Sequence, residues 1–246
     1  MIKIYSEKKL FKGAKFKKLP KAKKIVLIAP HSDDVSVCLG GTVSKLAESN
    51  KIMPVLFFSG YRGVEKRKTE AIELREKEMK KESRILSIKE PVFLRLSCYN
   101  KDNYILREED IFEVELFLKK HNPDIIFLPK KDDLHKRHKL AALITLKALK
   151  SPFFKKKRIL FFYESPWSLF QAFEFNAVFP FSNKEMKKKM KAVKVHSSQL
   201  KRTRLDKAAF SLAVFRGCAT AEQRIFGYGK KGFSFPFLEV FYEDTC

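Results

Sequence analysis

The sequence predicts an α/β fold, a Rossmann-like, mostly parallel sheet flanked by helices, with a C-terminal helical and loop extension shaping a cleft. Short apolar runs of strand length alternate with longer amphipathic segments. The first run, Ile25-Val26-Leu27-Ile28, is apolar at every position, as in a strand buried on both faces. The longest apolar stretches also fall well short of the ~20 residues that a membrane-spanning helix needs.

The elements follow in order. Residues 25–29 open the sheet, 38–49 form a short helix and 53–59 the next strand. Residues 65–86 are long and charged, with Ile72, Leu74, Met79 and Ile85 as the apolar positions of a surface helix. A strand at 92–96 precedes a helix at 108–121, where Ile111, Val114, Leu116 and Leu118 make a broad apolar face. A strand at 124–129, a helix at 139–150 and a strand at 159–163 continue the βαβ order, which implies parallel strands joined by right-handed crossovers.

After Tyr163 the rhythm changes. Pro166-Trp167 and the Phe-rich residues 170–181 read as loops or short strands around the cleft, where the rings either stack on a ligand or bury a lid or an oligomer contact. Residues 184–202 and 206–215 read as helices covering the sheet edge. Gly227, Gly229 and Gly232 read as turns before 233–241. They are too loosely spaced for a phosphate loop, and no Gly-x-Gly-x-x-Gly follows the first strand, so the order of elements does not imply a dinucleotide.

A chain of 246 residues, 45% of them hydrophobic, can bury one substantial core, so a single domain is the simplest reading. Residues 1–24 are basic without a continuous apolar stretch and do not resemble a secretory signal, which makes the expected location cytoplasmic. Cys38, Cys98, Cys218 and Cys246 are scattered without a C-x-x-C pair, the pattern of reduced thiols rather than of a disulfide framework. The formal charge of +24 favours nonspecific attraction to nucleic acid or anionic membranes. Its lysines are dispersed and no nucleic-acid module accompanies them, so the expected partner is a small molecule and not a specific nucleic acid. A basic rim around a cleft would favour an anionic one.

Chemistry concentrates at two strand ends. Ala29-Pro30-His31-Ser32-Asp33-Asp34 follows the first apolar run, and Asp132-Asp133-Leu134-His135-Lys136-Arg137-His138 follows the run Ile125-Ile126-Phe127-Leu128. Strand ends are where open α/β sheets place their sites. An imidazole beside two carboxylates supplies metal ligands and a base for activating water. His135 and His138 share a face if helix begins there, about 5–6 Å apart at Cβ. A zinc hydrolase needs three protein ligands and an open position, and His31, Asp34 and His138 can supply them. Taken alone, an Asp-Asp pair is commonly a cap or a solvated turn; two such clusters at two strand ends make the functional reading the stronger one. His196 reads equally as a packed helical residue or a substrate contact, and His121 as a C-terminal helix residue favoured by the dipole.

Pro30-His31-x-Asp33-Asp34 followed by Asp133-x-His135-x-x-His138 resembles the PIG-L/LmbE deacetylases, zinc-dependent N-deacetylases of N-acetylglucosamine conjugates. The resemblance extends through Arg75-x-x-Glu78, Tyr163-Glu164, His196-x-Ser198-Gln199 and Ala221-Glu222, and implies one deacetylase domain over residues 1–246 with its core at about 22–226. It implies that His31, Asp34 and His138 bind zinc or another divalent metal, that Asp33 is the general base, and that His135 supports the oxyanion or protonates the leaving amine. Zinc lowers the pKa of a coordinated water toward roughly 7, within reach of such a base. The implied substrate is an acetylated amino sugar conjugate, with a homo-oligomer as an open expectation. The chain differs from the family at Val35, where a glutamate is usual, at Ser32 in place of proline, and at Arg137 in place of aspartate. These differences keep open an amidase acting on a non-sugar substrate and a degenerate basic domain that binds a ligand or nucleic acid without turnover.

Overall fold

Ile25, Val26, Leu27, Ile28 and Ala29 are all buried in strand β2 (Lys24–Ala29), so neither face of this strand needs water. The computed structural model, which describes residues 15–16, 19–97, 105–171, 174–222 and 236–246, places β2 inside a mixed sheet. β2 pairs in parallel with β3 (Lys51–Leu56) and with β5 (Ile125–Pro129). β3 continues to β4 (Val92–Phe93) and β5 to β6 (Ile159–Tyr163), again in parallel. β8 (Phe237–Thr245) then runs antiparallel to both β6 and β7 (Ala177–Phe181), and the short β1 (Lys15–Phe16) lies parallel to β7. The order is β1-β7-β8-β6-β5-β2-β3-β4. The fold is therefore α/β and mostly parallel, as the apolar runs predict.

Period-two alternation divides the core between the two faces of the sheet. Val26 and Ile28 pack with Ile111, Val114 and Leu118 of α3 (Glu108–His121) and with Leu140 and Ile144 of α4 (Lys136–Ala148). Ile25, Leu27 and Ala29 pack on the opposite face. Their partners come from α1 (Asp34–Leu46), α2 (Lys68–Leu86), α5 (Asn183–Lys194) and α7 (Leu205–Glu222). The helices expected over the sheet edge instead cover this face, α5 against α1 and α2, and α7 against β8.

Several boundaries differ from the sequence reading. α1 begins at Asp34, and α4 at Lys136, because Asp33 and His135 occupy the capping positions. β4 stops at Phe93, and Arg95 then takes a left-handed φ of 52° that extended pairing cannot continue. The segment 184–202 is two helices, α5 and the single turn α6 (Ser197–Leu200), with His196 at the break. Phe170, Phe175, Phe179 and Phe181 are buried, so these rings serve packing. Cys98, Gly227, Gly229, Gly232 and residues 233–235 lie outside the described residues. Among the described residues no helix is long and apolar enough to cross a membrane.

Helix α1 is interrupted at Leu39, whose φ of −139° and ψ of 17° are not helical. A buried ion pair enters the gap. The Gly41 N–H would ordinarily donate to the Val37 carbonyl. Here Gly41 and Thr42 N–H donate to Glu239 of β8 at 3.1 and 2.7 Å, and Val37 O accepts from Lys189 Nζ of α5 at 2.9 Å. Lys189 and Glu239 join at 2.6 Å. Gly41 is required because a Cβ there would stand 2.4 Å from the Phe181 ring. The pair thus caps two half-helices at once and fixes the direction of the first, which carries Asp34.

Candidate metal centre

Because β2 and β5 are adjacent and parallel, their C-terminal ends open on the same edge of the sheet. His31 and Asp34 leave β2 there, and His138 enters from the first turn of α4 after β5. His31 Nδ1 lies 3.2 Å from His138 Nε2 and 3.3 Å from Asp34 Oδ2, while Asp34 Oδ1 lies 3.3 Å from His138 Nε2. Two ligand atoms held about 2.0–2.1 Å from a tetrahedral ion stand roughly 3.3 Å apart, so the three groups have the spacing and the donor chemistry for one divalent cation. Asp34 is further locked by the His31 backbone N–H, 2.7 Å from Oδ2.

Asp133 organises the second histidine. His138 Nδ1 lies 3.0 Å from Asp133 Oδ2, Ser165 Oγ donates to that oxygen at 3.2 Å, and His135 N–H donates to Oδ1 at 2.8 Å. A metal-binding imidazole usually has such a carboxylate behind it, which fixes the ring and the tautomer. Burial opposes charge on His138, yet Asp34 and Asp133 outweigh it and raise its pKa to about 10. Burial likewise opposes ionisation of Asp34, but His138 and His31 hold its carboxyl well below the usual range. The metal-free centre therefore keeps a proton between carboxylate and imidazole, where a cation would take its place. His31 is pushed down by burial ahead of the opposing pull of Asp34, as suits a neutral ligand.

Asp33 faces the same cavity. Arg75 Nη2 of α2 donates to Asp33 Oδ1 at 3.0 Å, and both side chains are buried. Burial alone would raise the Asp33 pKa; Arg75 overcomes this and keeps it below the ordinary value. His135 is lowered to about 4, by burial first and then by His31 and His138. It is neutral near pH 7. Its Nδ1 accepts from the Arg137 backbone N–H at 3.3 Å, so the ring proton belongs on Nε2.

The weaker sequence marks support this centre from behind. Glu82 accepts from the Ser36 N–H at 2.8 Å and so ties α2 to the first turn of α1. Glu78 accepts from Ser198 N–H at 2.9 Å and Ser198 Oγ at 2.6 Å. His196 is fully buried with Nε2 3.3 Å from Glu82 Oε1, which makes it a packed residue rather than a cavity wall. Tyr163 donates to the Ile28 carbonyl at 2.9 Å and pins β6 across the sheet, while Glu164 pairs with Arg216 of α7. Ala221 and Glu222 end α7. His121 does end α3, but burial and then Lys120 and Lys89 lower its pKa, against the dipole.

The site opens into a cavity of about 550 Å³, of a size for a small ligand. Beyond the groups above, Cys38, Trp167, Gln199, Arg202 and Thr203 contribute to its walls. Cys38 is a buried thiol that burial pushes well above its usual pKa, as fits packing. Trp167 is 45% exposed and is the aromatic ring available on this wall for stacking. Sequence reasoning missed the roles of Asp133, Ser165 and Arg75. The first was legible in Asp133-x-His135-x-x-His138, where the carboxylate precedes both imidazoles.

Fold and site together define an α/β protein with a His-Asp-His centre at the carboxyl ends of its parallel strands. A family model described as PIG-L, GlcNAc-PI de-N-acetylase, matches residues 26–149, and the chain belongs to this family. The N,N'-diacetylchitobiose deacetylase from Pyrococcus horikoshii, solved with its inhibitor MPG, is similar at a TM-score of 0.71 and 20% identity, over 91% of this chain and 84% of that one. GalB, the 4-carboxy-2-hydroxymuconate hydratase from Pseudomonas putida KT2440, is similar at 0.73 and 16% identity, over 90% and 95%. The zinc-inhibited form of teicoplanin deacetylase Orf2 is similar at 0.63 and 15% identity, over 91% and 98%. No curated protein sequence matches the chain.

Proposed function

We propose that this protein is a divalent-metal-dependent N-deacetylase acting on an N-acetylated amino sugar conjugate, with zinc as the metal and the chain acting as one domain. The observation that carries the reading is the convergence of His31, Asp34 and His138 on one point beside Asp33, facing a cavity large enough for a sugar. Two imidazoles and a carboxylate suit zinc. When bound, the cation supplies the acidity that lets water lose a proton near neutral pH and a positive charge beside the developing oxyanion.

The chain's own residues do the rest. Asp33, kept ionised by Arg75, accepts the proton of the attacking water and returns it to the amine nitrogen as the C–N bond breaks, so that acetate and a free amine are formed. His135, neutral with its proton on Nε2, donates to the carbonyl oxygen as charge develops there. Of the two roles implied for His135, the lowered pKa favours the hydrogen-bond donor over the proton donor. Trp167 offers an apolar face to the sugar ring.

Asp33→Asn is the direct test. The variant is expected to retain about one metal ion per chain and to lose about 10²–10⁴ in kcat, the range for a general base. Hydrolysis at the parental rate would remove the assigned base. Asp133→Asn, by contrast, should weaken metal affinity by roughly 10–100-fold through loss of the carboxylate behind His138, measured by competition with a chelating indicator. An amidase for non-sugar substrates would show metal and turnover without sugar preference. A noncatalytic basic domain would show no hydrolysis of any acetylated substrate.

A further inference from the structure

Four lysines converge on a second cavity, at the edge of the sheet opposite the candidate metal centre. Lys24 and Lys51 open β2 and β3, Lys89 follows α2, and Lys120 lies in the last turn of α3; with His121 they line a space of about 260 Å³. β2 spans six residues, so roughly 20 Å of strand separates this cavity from His31 and Asp34. Lys24 and Lys51 are register partners on adjacent parallel strands. The Lys89 N–H donates to the Ile52 carbonyl at 3.0 Å, which brings a third lysine to the same strand ends.

This gathering of like charge has no internal compensation. Among the described residues none of the four ammonium groups makes a hydrogen bond or an ion pair. The nearby Asp124 carboxylate accepts from the Lys24 backbone N–H at 2.9 Å and is paired with Lys156. Cavity cations elsewhere do meet carboxylates: Arg75 meets Asp33 in the candidate metal cavity, and Lys130 meets Glu174 in a third cavity. The dipole of α3 accounts for Lys120 at a helix C-terminus. It does not account for Lys24, Lys51 and Lys89, whose neighbouring charges repel one another. His121 registers the local field, its pKa lowered by burial first and then by Lys120 and Lys89.

We propose that this cavity is a second binding site, for a small molecule carrying two or more linked phosphates whose oxyanions lie among Lys24, Lys51, Lys89 and Lys120. A lysine ammonium is a compact charge with three rotatable donors, suited to phosphate without imposing one orientation. Four of them match the charge of an oligophosphate better than that of a single anion. Met53 and Pro123 give the cavity an apolar side against which the remainder of an organic phosphate can rest. A volume of this size suits a compact ion or the phosphate tail of a nucleotide, and not a nucleic-acid duplex. The site stands apart from the deacetylase reading and does not depend on it.

Titration calorimetry with tripolyphosphate on the metal-free protein, where chelation of zinc plays no part, tests the site. Lys51→Gln/Lys89→Gln should weaken binding at least tenfold. Lys187→Gln/Lys191→Gln, which removes the same charge from exposed positions of α5, should change it less than twofold. ATP separates the two sources of the ligand: an affinity no greater than that of tripolyphosphate assigns the site to the phosphates alone, and a tenfold gain assigns it to a nucleotide. Equal binding by the parent and both variants, or equal losses in the two variants, would mean diffuse attraction to a basic protein and overturn the proposal. So would a DNA duplex whose binding depends on Lys51 and Lys89 where tripolyphosphate does not bind. Thermal unfolding in phosphate-free buffer tests a purely structural role. Lys51→Gln/Lys89→Gln should melt no lower than the parent, since it relieves repulsion, and a clear fall in Tm would show that these lysines hold the fold and remove the premise.

Discussion

His138→Ala is expected to abolish stoichiometric metal binding and to lower deacetylation by at least about 10³, since the charge stabilisation that a bound cation gives a transition state is worth several kcal/mol. The loss should exceed that of Asp33→Asn in one diagnostic respect. The Asp33 variant keeps its metal, and the His138 variant does not. The expectation follows from the position of His138, whose Nε2 is the meeting point of Asp34 and His31 and whose Nδ1 is fixed by Asp133. Elemental mass spectrometry of parent and variant, each after zinc supplementation and desalting, gives the answer. Equal metal in both proteins would move the ligand set elsewhere and leave the mechanism without its central group.

Lys189→Met should give the largest loss of stability among substitutions distant from the cavity. The change leaves the Glu239 carboxylate buried without its ammonium partner and the Val37 carbonyl without its donor. Breaking one side of a buried pair costs about 3–5 kcal/mol, which for a chain of this size corresponds to a fall in Tm of roughly 6–20 °C. Thermal unfolding of the metal-free protein reads this separately from the metal's own stabilisation. A shift under about 2 °C would mean that the pair is not what holds the two halves of α1. In the zinc-loaded protein, metal affinity should fall as well, because Asp34 stands on the half-helix that the pair orients.

Much of the architecture was legible because burial on both faces leaves a plain mark. β2, β5 and β6 are runs in which nearly every residue is apolar, and their strand length and alternation with longer amphipathic segments settle the reading. The proposed ligands were legible for a related reason: two clusters of imidazole and carboxylate each follow a buried strand, and their joint occurrence is a stronger signal than either one alone. Helix starts were not, because Asp33 and His135 occupy the N-cap positions as well as facing the cavity, and a residue at that position reads as loop. The break before α6 was hidden by its composition, since lysines continue through it, and what ends the helix is the burial of His196 against Glu78 and Glu82. The place of β8 between β6 and β7, and the Lys189–Glu239 pair that depends on it, join residues far apart in sequence by contacts that no local pattern announces.

The interrupted helix also sets an order of events for a growing chain. Asp34 emerges early in synthesis, yet the half-helix that holds it is capped by side chains of α5 and β8, which are made some 150 and 200 residues later. Until β8 slots between its two neighbours, the Gly41 and Thr42 amides lack their acceptor and the first turn has no fixed bearing. A ribosome-bound intermediate with β2 to β6 in place would thus possess all three proposed ligand side chains without the geometry that brings them together. Capture of the proposed metal would then be a late step, a reporter that the whole sheet has closed.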